Sequence, residues 1–269
     1  MKNNSSLPVF FCIPDLSGFT KFVTSADNDF VHQVIPALLN QIISANLLNM
    51  KIAEVEGDAV FFYRTGRLPA INKVAHQCKV IYETFNEKIR SYETSHPEEY
   101  QKYLADEQLG IKIIIHYGKI SLAKIEKRIK LLGEDVILAH KLLKNSIADS
   151  NYILLTDNYT VKLRDKKTVK NWFNWEKLKR GSEDYEHFGL THYSYISLVD
   201  CNNFKMKKLL LSCILMLCLT IFALPIWAQN VKGKVIATDN SSIPGASIMV
   251  QGKFVGTSTN NEGAFALNV

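Results

Sequence analysis

An apolar stretch at residues 209–228 constrains the fold of this 269-residue chain more than any other feature, because it contains no charged residue. Its length reaches the roughly 20 residues that a helix needs to cross a bilayer. Lys205, Lys207 and Lys208 precede it, and lysines at this place favour the cytoplasmic side. The pattern predicts a transmembrane span in the inner (cytoplasmic) membrane, with the N-terminal part cytoplasmic and the C-terminal tail periplasmic.

The same segment fits a second interpretation. Met206-Lys207-Lys208, an apolar core and then Ala228-Gln229 have the pattern of a bacterial secretory signal. Signal peptides belong at the start of a chain, so this interpretation implies two joined coding units, one ending near Phe204 and the other beginning at Met206. Both interpretations stay open. Either one predicts three regions, at residues 1–204, 205–229 and 230–269.

The tail, residues 230–269, alternates apolar and polar residues between Gly, Pro and Asn turns, which predicts β-strands. Its runs at 231–235, 243–248, 256–259 and 262–265 resemble the carboxypeptidase regulatory-like β-sandwich, a module that commonly begins TonB-linked outer-membrane receptors. Roughly 40 residues seldom bury enough core to fold alone. The resemblance therefore implies a partial β domain.

Two aspartates stand where apolar strand patterns end. Asp15 lies in the run Pro14-Asp15-Leu16-Ser17-Gly18-Phe19-Thr20, and Asp58 lies in Glu56-Gly57-Asp58. Carboxylates at neighbouring strand ends suit a hard divalent cation, and backbone N–H groups at Gly18, Phe19 and Thr20 suit phosphate oxygens. Each fragment alone is most often a turn. Together they predict that Asp15 and Asp58 bind Mg²⁺ or Mn²⁺.

In their order along the chain, these segments resemble the class III adenylate/guanylate cyclase domain. The runs around Asp15 and Asp58 match its two metal motifs. Residues 113–118, ending in His116-Tyr117-Gly118, look like its central strand, and Gly133-Glu134-Asp135-Val136 resembles the start of its late helix. The four matches span roughly residues 8–198 and are similar to a divergent bacterial branch of the family.

This resemblance implies an α/β (α+β) fold, with a ferredoxin-like sandwich and a mostly antiparallel sheet. It also implies a nucleoside triphosphate ligand, a homodimer and a role in signal transduction. Two further positions match the base-reading residues of the family. Glu54, four residues before Asp58, matches guanine-using members, whereas Lys130, three before Gly133, matches neither purine pattern. No base is assigned.

The chain departs from the family at the catalytic positions. Where active cyclases carry an Asn that orients the ribose and an Arg that steadies the phosphate, this sequence has Ile137 and Lys141. Ile cannot hydrogen-bond, and Lys lacks the two-pronged bonding of Arg. A family Lys near the domain end is also missing, since residues 181–198 contain no Lys or Arg. We expect little or no cyclase activity, with a weakly active cyclase as the alternative.

The remaining signals are weaker. The net charge of +6 has its clearest basic cluster at residues 162–180, among Trp172, Phe173 and Trp175. Such a cluster suits a polynucleotide or lipid headgroups, but more often it is a solvated helix or arm, so no nucleic acid partner is expected. The five cysteines predict neither a zinc site nor disulfides. His116 is expected to be structural, and no His-plus-carboxylate metal motif appears in the sequence.

Apolar periodicity predicts the layout of the first region. Strands are expected at 9–14, 111–116, 152–156 and 192–198, a hairpin-like pair at 51–63, and helices at 31–48, 70–92 and 134–148.

Overall fold

The computed structural model describes residues 6–163, 177–198 and 230–268. The chain divides into two compact units, residues 1–206 and 207–269, and each is described by itself. The predicted span at 209–228 and the three aromatic residues of the basic cluster lie outside the described residues. Of the helices within the described ranges, none has both the length and the apolar character needed to cross a membrane.

The first unit is built on an eight-stranded sheet. The strands are β1 (Leu7–Ser17), β2 (Lys51–Glu56), β3 (Ala59–Thr65), β4 (Gly110–Ile125), β5 (Arg128–Leu132), β6 (Tyr152–Thr156), β7 (Lys179–Tyr185) and β8 (Gly189–Ser197). They follow the order β2-β3-β1-β4-β6-β8-β7, and β5 pairs with β4. Among the described strands only β4 and β6 run parallel, so the prediction of a mostly antiparallel sheet is confirmed.

Six described α-helices accompany this sheet. They are α1 (Phe19–Ser25), α2 (Asn28–Ser44), α3 (Ile71–Ser95), α4 (Pro97–Tyr103), α5 (Glu134–Leu142) and α6 (Asp157–Thr160). In α2, Val34, Leu38 and Ile42 recur at helical spacing and are fully buried. This spacing fixes which face of the helix meets the sheet.

The interior strand β1 separates two apolar cores, because successive side chains of a strand point to opposite faces. Phe10 and Cys12 belong to the core formed with α2 and α3. Phe11 and Ile13 belong to the core formed with α5. A strand buried on both faces is held firmly in register, and β1 carries one of the candidate site residues, Asp15.

Helix α5 ends earlier than the sequence predicts. It stops at Leu142 rather than near residue 148. The side-chain amide of Asn145 donates to the Leu142 carbonyl at 2.8 Å, and Lys112 Nζ donates to the Leu143 carbonyl at 2.8 Å. These side chains satisfy carbonyls that would otherwise bond to a further helical turn, so they end the helix.

The second unit contains four short described strands. β9 (Asn230–Lys234) pairs antiparallel with β12 (Ala264–Asn268), and β10 (Ser247–Met249) pairs antiparallel with β11 (Gly256–Ser258). The strands agree with the alternating pattern of the tail.

Candidate functional site

The structure brings Asp15 and Asp58 together at one end of the sheet. Asp15 lies near the end of β1, where its register partner is Ala59, and Asp58 lies in the turn between β2 and β3. The Leu16 amide donates to the Asp58 carbonyl at 3.2 Å, which fixes the turn against β1. The two carboxyl groups can share a hydrogen bond when Asp58 is protonated.

The electrostatics of the pair favour a cation. Burial and the negative charge of Asp15 raise the pKa of Asp58 from 3.8 to about 6, while the charge of Lys112 lowers it. Asp15 is only 5% exposed. Its Oδ1 atom is buried and has no hydrogen-bond partner among the described residues. A buried carboxylate oxygen without a partner, beside a second carboxylate, is a suitable ligand for a divalent cation.

Lys112 is a member of the site that the sequence reasoning missed. Its Nζ atom lies 3.0 Å from Asp15 Oδ2, and the same atom donates to the carbonyl of Leu143 just beyond α5. It therefore neutralises one of the two carboxylates and leaves Oδ1 free for another cation. The signal in the sequence was a lone lysine within the apolar strand pattern of β4.

The predicted phosphate-binding residues line a cleft of about 380 Å³ beside the carboxylates. Gly18, Phe19, Thr20, Asp58 and Lys112 are among its lining residues. Gly18 also has a structural reason to be glycine. Its φ is +80°, and a Cβ there would lie 2.2 Å from the Gln108 carbonyl oxygen.

Glu54 and Lys130, which the resemblance matches to base-reading positions, contact each other. Lys130 Nζ lies 3.0 Å from Glu54 Oε2. His140 Nε2 lies 3.3 Å from the other oxygen of Glu54, and His140 Nδ1 lies 3.3 Å from Glu56 Oε2. The His140 ring stacks on Phe61 with centroids 4.0 Å apart. A charged cluster thus occupies the position where the family resemblance places a purine base.

Glu54, Glu56 and His140 form a group that could hold a metal ion, because one ligand atom from each lies within 4.8 Å of the others. The sequence contains no His-plus-carboxylate motif, and this group forms only in the folded chain. Glu54 and Glu56 lie on β2, and His140 lies on α5, 84 residues after Glu56, where its ring stacks on Phe61 of β3. Spacing along the chain carries no signal of such a meeting.

The two positions at which the sequence departs from the family pattern lie on α5. Ile137 is 52% exposed, and Lys141 is half-buried. An exposed isoleucine offers no hydrogen bond to a ribose. The described strands β7 and β8 supply no Lys or Arg between residues 181 and 197.

His116 is a structural residue. It is fully buried, with Nδ1 3.0 Å from Thr156 Oγ1 and Nε2 3.0 Å from Asp135 Oδ1. The second Asp135 oxygen accepts the Lys119 amide at 2.7 Å. A Cβ at Gly118 would lie 2.1 Å from Asp135 Cγ, so the glycine makes room for this carboxylate. Residues 116–118 lie within β4, which continues to Ile125, and Asp135 joins this part of the strand to α5.

Comparison with known proteins gives a family match over part of the chain. A protein-family model described as "Protein of unknown function (DUF2652)" matches residues 35–152. "Uncharacterized protein Rv2561/Rv2562" of Mycobacterium tuberculosis (strain ATCC 25618 / H37Rv) is 32% identical over 120 residues, which are 45% of this chain. The chain spans about half of that relative, namely 56% of its length.

Solved structures extend the comparison to the fold. The catalytic core of a rhodopsin-guanylyl cyclase with converted specificity, in complex with ATPalphaS, is 14% identical with a TM-score of 0.50. The match covers 71% of this chain and 96% of that one. The guanylyl cyclase Cya2 is 15% identical with a TM-score of 0.49, over 71% and 92% of the two chains. The chain thus contains a mixed α/β fold whose central sheet resembles that of nucleotidyl cyclase domains.

Proposed function

We propose that the first unit is a degenerate cyclase-like module that binds a divalent metal ion and a nucleoside triphosphate, with little or no cyclase activity. The observation that carries this proposal is the convergence of Asp15 and Asp58 around a buried Asp15 oxygen that has no partner among the described residues. Sequence pattern and geometry point to the same two carboxylates.

Asp15 and Asp58 would hold Mg²⁺ or Mn²⁺, since both are oxygen ligands. When bound, the ion supplies a positive charge that binds and orients a polyphosphate. Gly18, Phe19 and Thr20 line the adjoining cleft. The proposal assigns the phosphate oxygens to their backbone N–H groups. The resemblance in fold to a cyclase core solved with ATPalphaS makes a nucleoside triphosphate the ligand to test.

Three features argue against efficient cyclisation. Ile137 and Lys141 replace an amide and a guanidinium, and β7 and β8 lack a cation between residues 181 and 197. Losing one preorganised donor typically costs about a hundredfold to a thousandfold in rate. Because Glu54 and Lys130 are already paired, the base-reading positions are also less available to a purine. Lys141 keeps a positive charge, so a weakly active cyclase is the second candidate.

Mn²⁺ binding to the full-length chain tests the metal site, measured by the loss of the free-ion electron paramagnetic resonance signal. We expect Asp15→Asn and Asp58→Asn to abolish the tight site. The control Asp184→Asn removes an exposed carboxylate on β7 and should bind normally. Binding that persists in both Asn variants and disappears in Glu56→Gln would assign the ion to the cluster of Glu54, Glu56 and His140, and would contradict the proposal.

An assay for cyclic nucleotide production tests the expected lack of cyclase activity. Full-length chain is incubated with ATP or GTP in Mn²⁺, and cyclic nucleotide is quantified by mass spectrometry. We expect product at or near the background of Asp58→Asn. Robust product that depends on Asp58 would instead support the weakly active cyclase.

We also propose that the module forms a homodimer. Large apolar side chains are exposed on β2, the end of β4, β5 and α5, and exposed apolar side chains favour association. Those more than 40% exposed are Ile52, Val55, Leu122, Ile125, Ile129, Leu132 and Ile137.

The proposed location is the inner membrane, with the first unit cytoplasmic and the tail periplasmic. It rests on the uncharged run at 209–228 and the lysines before it. Reporter fusions after Phe204 and after Asn230 should show opposite sidedness. The alternative of a fused reading frame predicts separate polypeptides, which mass spectrometry of the native chain would detect as a product ending near Phe204.

A further inference from the structure

A second cavity lies at the opposite end of the β1–β4 ladder from the carboxylates. In the register of these strands Asp15 is paired with Lys112, and Pro8 is paired with Lys119. Seven residues separate the two pairs along each strand, which corresponds to about 23 Å. Pro8 and Lys119 line a cavity of about 1250 Å³, so this cavity is separate from the candidate metal site.

Basic side chains outnumber acidic ones in the described lining of this cavity. Arg67, Lys73, Lys119 and Lys162 come from three segments of the chain, and none forms an ion pair with another described residue. Asp135 is the one carboxylate among the described lining residues. Its two oxygens are already used by His116 and by the Lys119 amide. The cavity therefore has an excess of unpaired positive charge.

The start of helix α3 adds to this charge. Ala70, Ile71 and Asn72 line the cavity, and the 25-residue helix begins there without a side-chain cap and without an acidic residue in its first turn. The N-terminal end of a long helix carries a partial positive charge and free N–H groups. Proteins usually place Asp, Glu, Ser or Thr at such an end, so their absence here leaves the helix end available to an external anion.

Apolar residues form one wall. Leu68, Tyr117 and Leu163 are half-buried and pack against the core of α2 and α3. A concave site with one apolar wall and convergent charged groups is typical of small-molecule binding, whereas backbone binding of nucleic acid uses an extended basic groove. We propose that this cavity binds a phosphorylated small molecule that carries at least two phosphate groups.

The test uses inorganic triphosphate as the probe. Binding to the full-length chain is measured by isothermal titration calorimetry in EDTA, which removes any metal-dependent binding at Asp15 and Asp58. We expect Arg67→Ala and Lys119→Ala each to weaken binding about tenfold or more, because each removes a charge-assisted contact. Lys79→Ala is the matched control, since Lys79 lies on α3 beyond the cavity and is paired with Glu83.

The outcomes separate this proposal from the proposed function. The cavity site is supported if Asp58→Asn binds triphosphate with wild-type affinity while the cavity variants bind it more weakly. This result would hold even if Asp15 and Asp58 bind no metal. Loss of binding in Asp58→Asn would place the triphosphate at the carboxylate end and overturn the proposal. Equal weakening in Lys79→Ala would indicate unspecific attraction. Tighter binding of a single-stranded oligonucleotide than of triphosphate would also contradict a small-molecule site.

Discussion

The surroundings of Asp58 raise its pKa in the folded protein, so the stability of the protein should depend on pH. The folded protein holds a proton on Asp58 up to about pH 6, whereas the unfolded chain releases it near 3.8. The folded state therefore binds more protons within this window, and the free energy of unfolding should fall as pH rises through it. In EDTA, chemical denaturation at several pH values should show this slope as a difference between the wild type and Asp58→Asn. An identical pH dependence of the two proteins would contradict the pairing.

Two glycines in turns provide a matched comparison. Gly18 and Gly57 both have positive φ, but a Cβ would meet Gln108 only at Gly18 and would find open space at Gly57. We expect Gly57→Ala to cost about 1 kcal/mol from backbone conformation alone. Gly18→Ala should cost at least about 2 kcal/mol, because steric overlap is added. Thermal unfolding measures the stability of both variants. An equal loss of stability in the two would argue against the close contact between position 18 and Gln108.

At the scale of elements, Asp135 holds α5 to β4. Burial alone would raise the pKa of Asp135, but hydrogen bonds from His116 and the Lys119 amide outweigh it and lower the pKa below 3.8. The stabilisation is present above the pKa of the unfolded chain and is lost as pH falls through the folded value. Asp135→Asn should lower the stability at pH 7 by about 2 kcal/mol.

Denaturation at pH 7 and at acidic pH tests this link. The difference in free energy of unfolding between the wild type and Asp135→Asn should become smaller at acidic pH. The control variant Asp184→Asn, which changes an exposed residue, should have the stability of the wild type at pH 7. A gap that is constant with pH would mean that the carboxylate charge makes no contribution.

The predicted elements differ from the observed ones for local reasons. Long periodic segments such as α3 are predicted within a few residues, since α3 buries Val74, Cys78 and Ile81 at helical spacing. The end of α5 is missed because Lys112, 31 residues earlier than Leu143, bonds its carbonyl. Strand β5 was not predicted. Its edge pairing with β4 leaves Ile129 exposed, and this weakens the apolar pattern.

At the scale of the whole molecule, the exposed apolar side chains of β2, β4, β5 and α5 predict a dimer. Ile137→Lys replaces one of them with a charge and should shift the full-length chain towards monomer in analytical ultracentrifugation. Leu190→Lys is the control, since Leu190 is 60% exposed on β8, which contributes none of these side chains. If Ile137→Lys associates as the wild type does, α5 is not part of the dimer interface.

The candidate site was predictable only in part. Asp15 and Asp58 are identifiable because each ends an apolar strand pattern next to a glycine turn, and the fold brings them together. The cluster of Glu54, Glu56 and His140 depends on the packing of α5, which no local pattern encodes. Lys112 depends on the pairing register of β4 with β1.

The two-sided burial of β1 has a mechanical consequence. Sliding this strand by one residue would turn Phe10 and Phe11 to the wrong faces, so β1 cannot transmit binding by movement along its axis. At about 23 Å the charges at its two ends are also screened from each other at physiological salt. We therefore expect Mn²⁺ and triphosphate to bind independently, so that saturating one changes the dissociation constant of the other by less than about twofold. Titrating each ligand in the presence of the other measures this ratio of dissociation constants. A ratio far from one would show that binding at one end of β1 changes the structure at the other end.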